Sequence, residues 1–300
     1  PAVNFSATPT VGTGSLSVSF TDTTALGQLE VSSRTWDFGD GSMVSTETSP
    51  VHIYSEPGVY DVKLTLATSL DGQTDMRTRA GYVIVRPEPA FTADIQSGDG
   101  TLQVNFTDAT DLGNLEVIGV QWDFGDGSTS VTANPSHTYT EPGTYTVKLT
   151  VTTAAGSQTT TEAGFITVRP VPSFNASATT GSAPITVTFT NTTDIGTLAI
   201  TGRLWNFGDG STSESANPIH AYSAPGNYDV TLTLTTSQGA VQTEQTDYIQ
   251  IRPTVGFTVD TATGSAPLMV QFTDATVAGN LTISGYSWDF GDGTDASTDA

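Results

Sequence analysis

Trp36-Asp37-Phe38-Gly39-Asp40-Gly41-Ser42 decides how this chain is read, because the segment returns. It recurs as Trp122-Asp123-Phe124-Gly125-Asp126-Gly127-Ser128, as Trp205-Asn206-Phe207-Gly208-Asp209-Gly210-Ser211, and as Trp288-Asp289-Phe290-Gly291-Asp292-Gly293-Thr294. Successive copies lie 86, 83 and 83 residues apart and hold all 4 tryptophans of the 300-residue chain. A fixed period of this kind marks a tandem array, in which each copy serves as a control for the others. The repeats run 1–86, 87–169 and 170–252, with 253–300 as the first half of a fourth. Units of this length can enclose a small core without a metal or a disulfide, and the chain has no cysteine.

Upstream of the segment, Leu16, Val18 and Phe20 alternate with serines. The same positions hold Leu102, Val104 and Phe106, then Ile185, Val187 and Phe189, then Leu268, Val270 and Phe272. Alternation with period 2 predicts strands with one face in a core. Gly12-Thr13-Gly14 reads as a turn, and a loop with Leu26-Gly27 and Leu29 leads to the Trp36 strand. Downstream, Gly39-Asp40-Gly41 ends that strand, since glycine accepts positive φ and Asp bonds its own backbone two residues on. His52 and Tyr54 sit on a short strand and Pro57-Gly58 is a turn. Tyr60, Val62, Leu64 and Leu66 then alternate, Asp71-Gly72 reads as a hairpin, and the last strand ends at Val83-Ile84-Val85. About seven short strands without helical period predict an all-β, immunoglobulin-like sandwich with the Trp as core anchor. Tyr60, Tyr145 and Tyr228, just after Pro-Gly, are placed as tyrosine corners.

These marks resemble the PKD domain, the polycystic kidney disease repeat. The matching residues are Ser182-Ala183-Pro184, the Trp-Asp-Phe-Gly-Asp-Gly-Ser segment, Pro135-Ser136-His137-Thr138-Tyr139, Pro142-Gly143-Thr144-Tyr145-Thr146-Val147 and Leu232-Thr233-Leu234. The resemblance implies an extracellular binding, spacer or load-bearing module without an active site of its own. Such modules occur in prokaryotic surface proteins, in animal receptors and beside the catalytic domains of secreted proteases and chitinases. Near-identical spacing and short linkers add the expectation of a linear rod, at roughly 30–40 Å per repeat.

Chemistry follows the same internal comparison. Asp37, Asp123 and Asp289 with Asp40, Asp126, Asp209 and Asp292 offer paired carboxylates, but Asn206 breaks the pair in the third repeat. The spacing lacks the alternating ligands and closing Glu of an EF-hand, so turn architecture is the main reading and calcium at Asp37, Asp123 or Asp289 a weak alternative. Asp22, Asp108, Asn191 and Asp274 form a second recurring oxygen position, read as a hydrogen-bonding site. One His per repeat (His52, His137, His220) makes a poor metal site and is expected to bond backbone. No serine-triad or phosphate-loop signature is present, so no catalytic residue is assigned.

Arg86, Arg169 and Arg252 each precede a proline at a repeat boundary, in a chain with only 9 basic residues. They are expected to pair with an acid or carbonyl of the neighbouring repeat. Asn4, Asn105, Asn175, Asn191 and Asn280 head Asn-x-Ser/Thr sequons and are glycosylation candidates. A formal charge of −22 argues against nucleic acid and anionic lipid as partners, and no apolar run approaches the ~20 residues of a membrane helix. The acidity fits either a soluble, self-repelling surface or a salty or calcium-rich exterior. The half repeat at 253–300 is read as the cut end of a longer array, with strand donation from a neighbouring molecule as the alternative. The expected function is a non-catalytic surface stalk, filament or layer, archaeal by family and acidity. A spacer or carbohydrate-binding segment of a secreted hydrolase, or an adhesin, stands as the alternative.

Overall fold

A computed structural model describes residues 1–69 and 74–294. The Asp71-Gly72 hairpin lies outside the described residues. All regular elements among them are strands, and no helix is long and apolar enough to cross a membrane. The chain divides into two compact units. One is Pro1–Ser97 with Leu102–Tyr139 and Thr144–Thr167. The other is Gly98–Thr101 with Thr140–Gly143 and Val168–Ala300.

The first repeat lies wholly in the first unit. Its strands are β1 (Phe5–Thr8), β2 (Val11–Thr13), β3 (Leu16–Asp22), β4 (Val31–Asp37), β5 (Val51–Tyr54), β6 (Gly58–Thr68) and β7 (Thr74–Arg86). They form two sheets, ordered β1-β3-β5 and β2-β7-β6-β4. β3 alternates as expected: Val18 and Phe20 are buried while Ser17, Ser19 and Thr21 face water. Trp36 on β4 stands opposite Leu64 on β6, and both are 0% exposed in a core with Phe5, Phe20, Val62, Val83 and Val85. Phe5 meets the indole edge-on at 5.3 Å, an arrangement that aromatic quadrupoles favour.

Gly12 and Thr13 correct the sequence reading. They are not a turn but part of β2, which runs parallel to β7 with Gly12 opposite Val85 and Thr13 opposite Arg86. Three residues are too few for alternation to show. The chain thus changes sheets between β1 and β2, and the turn falls at Gly14, with φ +61°. β6 also carries a bulge between Tyr60 and Val62. The third repeat, wholly in the second unit, reproduces this plan. Ile200–Asn206 pairs with Gly226–Thr236, Thr180–Ser182 runs parallel to the last strand, and a bulge falls between Tyr228 and Val230. Thr236 is a buried polar residue whose hydroxyl bonds the Gly239 carbonyl inside its hairpin.

The fourth repeat, described as far as Thr294, pairs Phe257–Val259 with Phe272–Asp274. Phe257 is 59% exposed, whereas its counterparts Phe5 and Phe174 are at 1% and 3%. The strands equivalent to β5, β6 and β7 complete the core in the full repeats.

Candidate functional site

Each Trp-Asp-Phe-Gly-Asp-Gly segment builds one cluster. The Trp36 indole N–H donates to the Glu47 carbonyl at 3.0 Å, and Trp122 and Trp205 do the same to Thr132 and Ser215 at 3.0 Å each. A fully buried indole nitrogen needs such a partner. The Gly39 N–H donates to Asp37 Oδ1, Gly125 to Asp123 and Gly291 to Asp289. Asn206 Oδ1 accepts the Gly208 N–H at the same place, at 3.0 Å. The position therefore requires an acceptor oxygen and not a charge. The Lys63 ammonium lies 3.9 Å from Asp37 and that of Lys148 3.2 Å from Asp123.

The second acid of the segment does more. Asp40 Oδ1 accepts from the Ser42 backbone and hydroxyl, and Oδ2 lies 2.6 Å from His52 Nε2. His52 stacks on Phe38 with centroids 4.1 Å apart and rings 6° from parallel. Tyr54 donates to the Phe38 carbonyl at 3.1 Å. Asp126-His137-Phe124-Tyr139 and Asp209-His220-Phe207-Tyr222 repeat the arrangement, with His–Asp distances of 2.7 Å in both. Asp292 keeps the turn through the Thr294 N–H. The histidine was expected to bond backbone. It bonds the turn carboxylate instead, because β5 brings its ring across the turn from a position 11 or 12 residues later. Nothing in the local spacing foretells that pairing.

Burial pushes the Asp40 carboxyl up, but the Ser42 and His52 hydrogen bonds outweigh it and hold it below the usual carboxylate range. Asp126 and Asp209 are depressed by the same opposition of burial and hydrogen bonds. Burial, and then the nearby carboxylates, push the Tyr54, Tyr139 and Tyr222 phenols far up. These carboxylates are ionised acceptors with both oxygens engaged, so the cluster is a clasp that locks the turn between β4 and β5 onto the core. Among the described residues, no three His, Asp or Glu side chains gather as a metal-ligand set.

Tyr60 donates to the Glu56 carbonyl at 2.7 Å and Tyr228 to the Ala224 carbonyl at 2.9 Å, while Tyr145 packs on Tyr139 at 4.5 Å. Asp22, Asp108, Asn191 and Asp274 each accept the N–H of a Thr two residues on. Asp22 also takes Arg34 at 2.9 Å. Among the sequon residues, the Asn105 side-chain nitrogen donates to Asp94, Asn4 accepts from Arg79, and Asn191 closes its own turn. Asn175 is exposed on Phe174–Ala176. The Asn280 amide is doubly engaged, accepting from the Asn227 N–H and donating to the Asn227 carbonyl at 3.0 Å each.

The boundary arginines divide. Arg86 Nε reaches the Ala155 carbonyl of the second repeat at 3.1 Å, as expected. Arg169 corrects the expectation, since it pairs at 2.6 Å with Asp99 of its own repeat. The residue facing the arginine across the parallel ladder is Thr13 for Arg86 and Ser182 for Arg252. Only the second repeat offers a carboxylate at that position. For the Arg252 side chain no hydrogen bond or ion pair is found among the described residues.

A loop-on-turn contact, absent from the sequence reading, recurs where repeats meet. Within the first unit, Asn114 N–H donates to the Pro57 carbonyl at 3.2 Å. Within the second, Thr197 N–H donates to Pro142 at 3.1 Å and Asn280 N–H to Pro225 at 3.4 Å. The preceding Gly113, Gly196 and Gly279 have φ of 54°, 50° and 62°. A Cβ on any of them would overlap the proline carbonyl. The signal in the sequence was the glycine returning at 27, 113, 196 and 279 with the period of the tryptophans.

Two-sheet sandwiches, of seven strands in the first repeat and eight in the third, where Thr212–Ser213 adds a short edge strand, with a clasped Trp turn and a tyrosine bonded back to its own corner, define an immunoglobulin-like class of module. The PKD domain pattern matches residues 1–83, 84–168 and 167–251, and the chain belongs to the PKD domain family. The collagenase ColA of Bacillus cereus is 46% identical over 66 residues, which are 22% of this chain and 7% of that protein. The microbial collagenase of Vibrio alginolyticus is 41% identical over 71 residues, 23% of this chain and 9% of the relative. The pre-pro-metalloprotease PrtV of Vibrio cholerae is 30% identical over 129 residues, 42% and 14%. The chain thus spans a small part of each of these relatives. Among solved structures, the PKD1 domain of the Vibrio cholerae metalloprotease PrtV is similar at 33% identity and a TM-score of 0.24, over 28% of this chain and 96% of that domain.

Proposed function

We propose that this chain is a non-catalytic spacer segment of an extracellular hydrolase, a run of PKD modules that sets the distance and orientation of other domains. The observation that carries the reading is the match of PKD stretches inside collagenases and a metalloprotease. In keeping with it, the Asp40, Asp126 and Asp209 carboxylates are taken up by the turn and its histidine. These relatives favour the spacer over the free-standing filament that regular spacing alone suggested. Repeats that dock on their neighbours suit the task, since each contact limits the hinge between modules.

Sedimentation velocity and electron microscopy of the purified chain test the proposal. A monomer that forms no filaments and hydrolyses neither peptide nor polysaccharide is expected. Concentration-dependent polymers would overturn the spacer and restore the filament. Calorimetric titration with calcium, with Asp123→Asn as control, tests whether the turn carboxylates take that ion.

A further inference from the structure

Four loops in this chain share one shape, and three of them are occupied. Leu26-Gly27-Gln28-Leu29, Leu112-Gly113-Asn114-Leu115, Ile195-Gly196-Thr197-Leu198 and Ala278-Gly279-Asn280-Leu281 stand at equivalent positions of their repeats. Each closes with the fourth residue's N–H donating to the first residue's carbonyl, at 3.0, 2.9, 2.9 and 3.1 Å. Each holds its glycine in the left-handed region, with φ of 60° at Gly27 against 54°, 50° and 62° at the others. In the last three, the Pro-Gly turn of another repeat covers the glycine and takes the next residue's N–H on the proline carbonyl. At Gly27 a Cβ would meet nothing within 4 Å.

We propose that Leu26–Leu29 is a fourth seat of the same kind, and that its occupant is the Pro-Gly turn of another PKD repeat. The loop forms without its occupant, so it is organised before docking and little ordering entropy opposes the contact. Positive φ alone does not demand glycine, since Asn also reaches that region. What demands glycine at the other three seats is the overlap of any Cβ with a proline carbonyl. Gly27 keeps that face clear where nothing in the described residues approaches it. The seat also presents the Gln28 N–H, a donor without an acceptor among the described residues. An incoming proline carbonyl supplies one. This surface is independent of whether the whole protein is a hydrolase or a filament.

The test joins a copy of residues 170–252, which carry a complete core, ahead of Pro1 of the full chain. An Arg-Pro linker then repeats the spacing of Arg86-Pro87. Hydrogen exchange at the Gln28 amide is compared with and without the added repeat, with amides of the added core confirming that it has folded. The expected result is exchange slowed about tenfold, the effect of one net hydrogen bond, towards the protection of Asn114 and Thr197. Gly27→Asn in the extended chain is expected to abolish the protection, while the same substitution leaves melting of the unextended chain unchanged. Unaltered Gln28 exchange beside a folded added repeat overturns the proposal, as does protection that survives Gly27→Asn. The same fusion made with residues 87–169 repeats the reading with a second turn.

Discussion

Asp123 and Asp126 are three residues apart and do different work. Asn206 already stands in place of the first acid and keeps the turn, so Asp123→Asn removes only an exposed contact with Lys148. Such pairs contribute about 0–1 kcal/mol, and urea unfolding should place the variant within that range of the parent. Asp126→Ala instead strands His137 against Phe124 without its partner. An unsatisfied, mostly buried polar group costs roughly 1–3 kcal/mol, which the same melts should report. The depressed carboxyls of Asp40, Asp126 and Asp209 also fix a pH dependence. A folded pKa below the unfolded value of about 3.9 contributes stability that is complete above that value. The contribution is lost as pH falls through the lower folded value. Unfolding midpoints should therefore hold from neutral pH to about 5 and fall below about 4. A midpoint that rises on acidification would contradict the assigned sign.

Strands are where the sequence was most legible, and turns where it was partly so. The alternation of Val18 with Phe20, and of Val62 with Leu64 and Leu66, was readable because a half-buried sheet imposes period 2 on any sequence that covers it. β2 was not readable, because its pairing is parallel and its partner lies some 70 residues away in sequence. The bulge at Asp61 was equally silent, yet it explains the glycine that precedes Asp40. Gly39 has φ +78°, and a Cβ there would overlap the Asp61 backbone. Gly125 and Gly208 face Thr146 and Asp229 in the same way. Gly125→Ala thus combines left-handed strain with a clash against backbone that cannot move aside. The loss should exceed about 1 kcal/mol by urea unfolding. Gly127→Ala, at φ +94° but with open space around it, should cost less. Equal losses at the two glycines would show that φ alone sets the requirement.

Along the whole chain, the period is legible in the residues while the coupling between repeats is not. Arginines draw the eye in so acidic a chain, and Arg86 does bridge to Ala155. Arg169 is held at home by Asp99, at side-chain exposures of 38% and 55%, where an ion pair contributes little. Backbone carbonyls carry no letter in a sequence, so the Pro57, Pro142 and Pro225 acceptors could be seen only once the chain was folded. In arrays whose repeats contact only neighbours, stability divides into repeat terms and interface terms. Variants of the two junction features should separate these. Gly196→Asn keeps a residue able to hold φ near +50° but drives a side chain into the Pro142 carbonyl. It should remove the Thr197 hydrogen bond and split the calorimetric transition of the chain into more weakly coupled steps. Arg169→Ala should leave the shape of the transition intact and shift stability by less than about 1 kcal/mol. If the arginine variant uncoupled the repeats and the glycine variant did not, control of the junction would return to the charged linker. The loop-on-turn contact would then be only a close approach. The glycine is favoured because its contact recurs at 113, 196 and 279, in step with the tryptophans, whereas no two of the three arginines share a partner type.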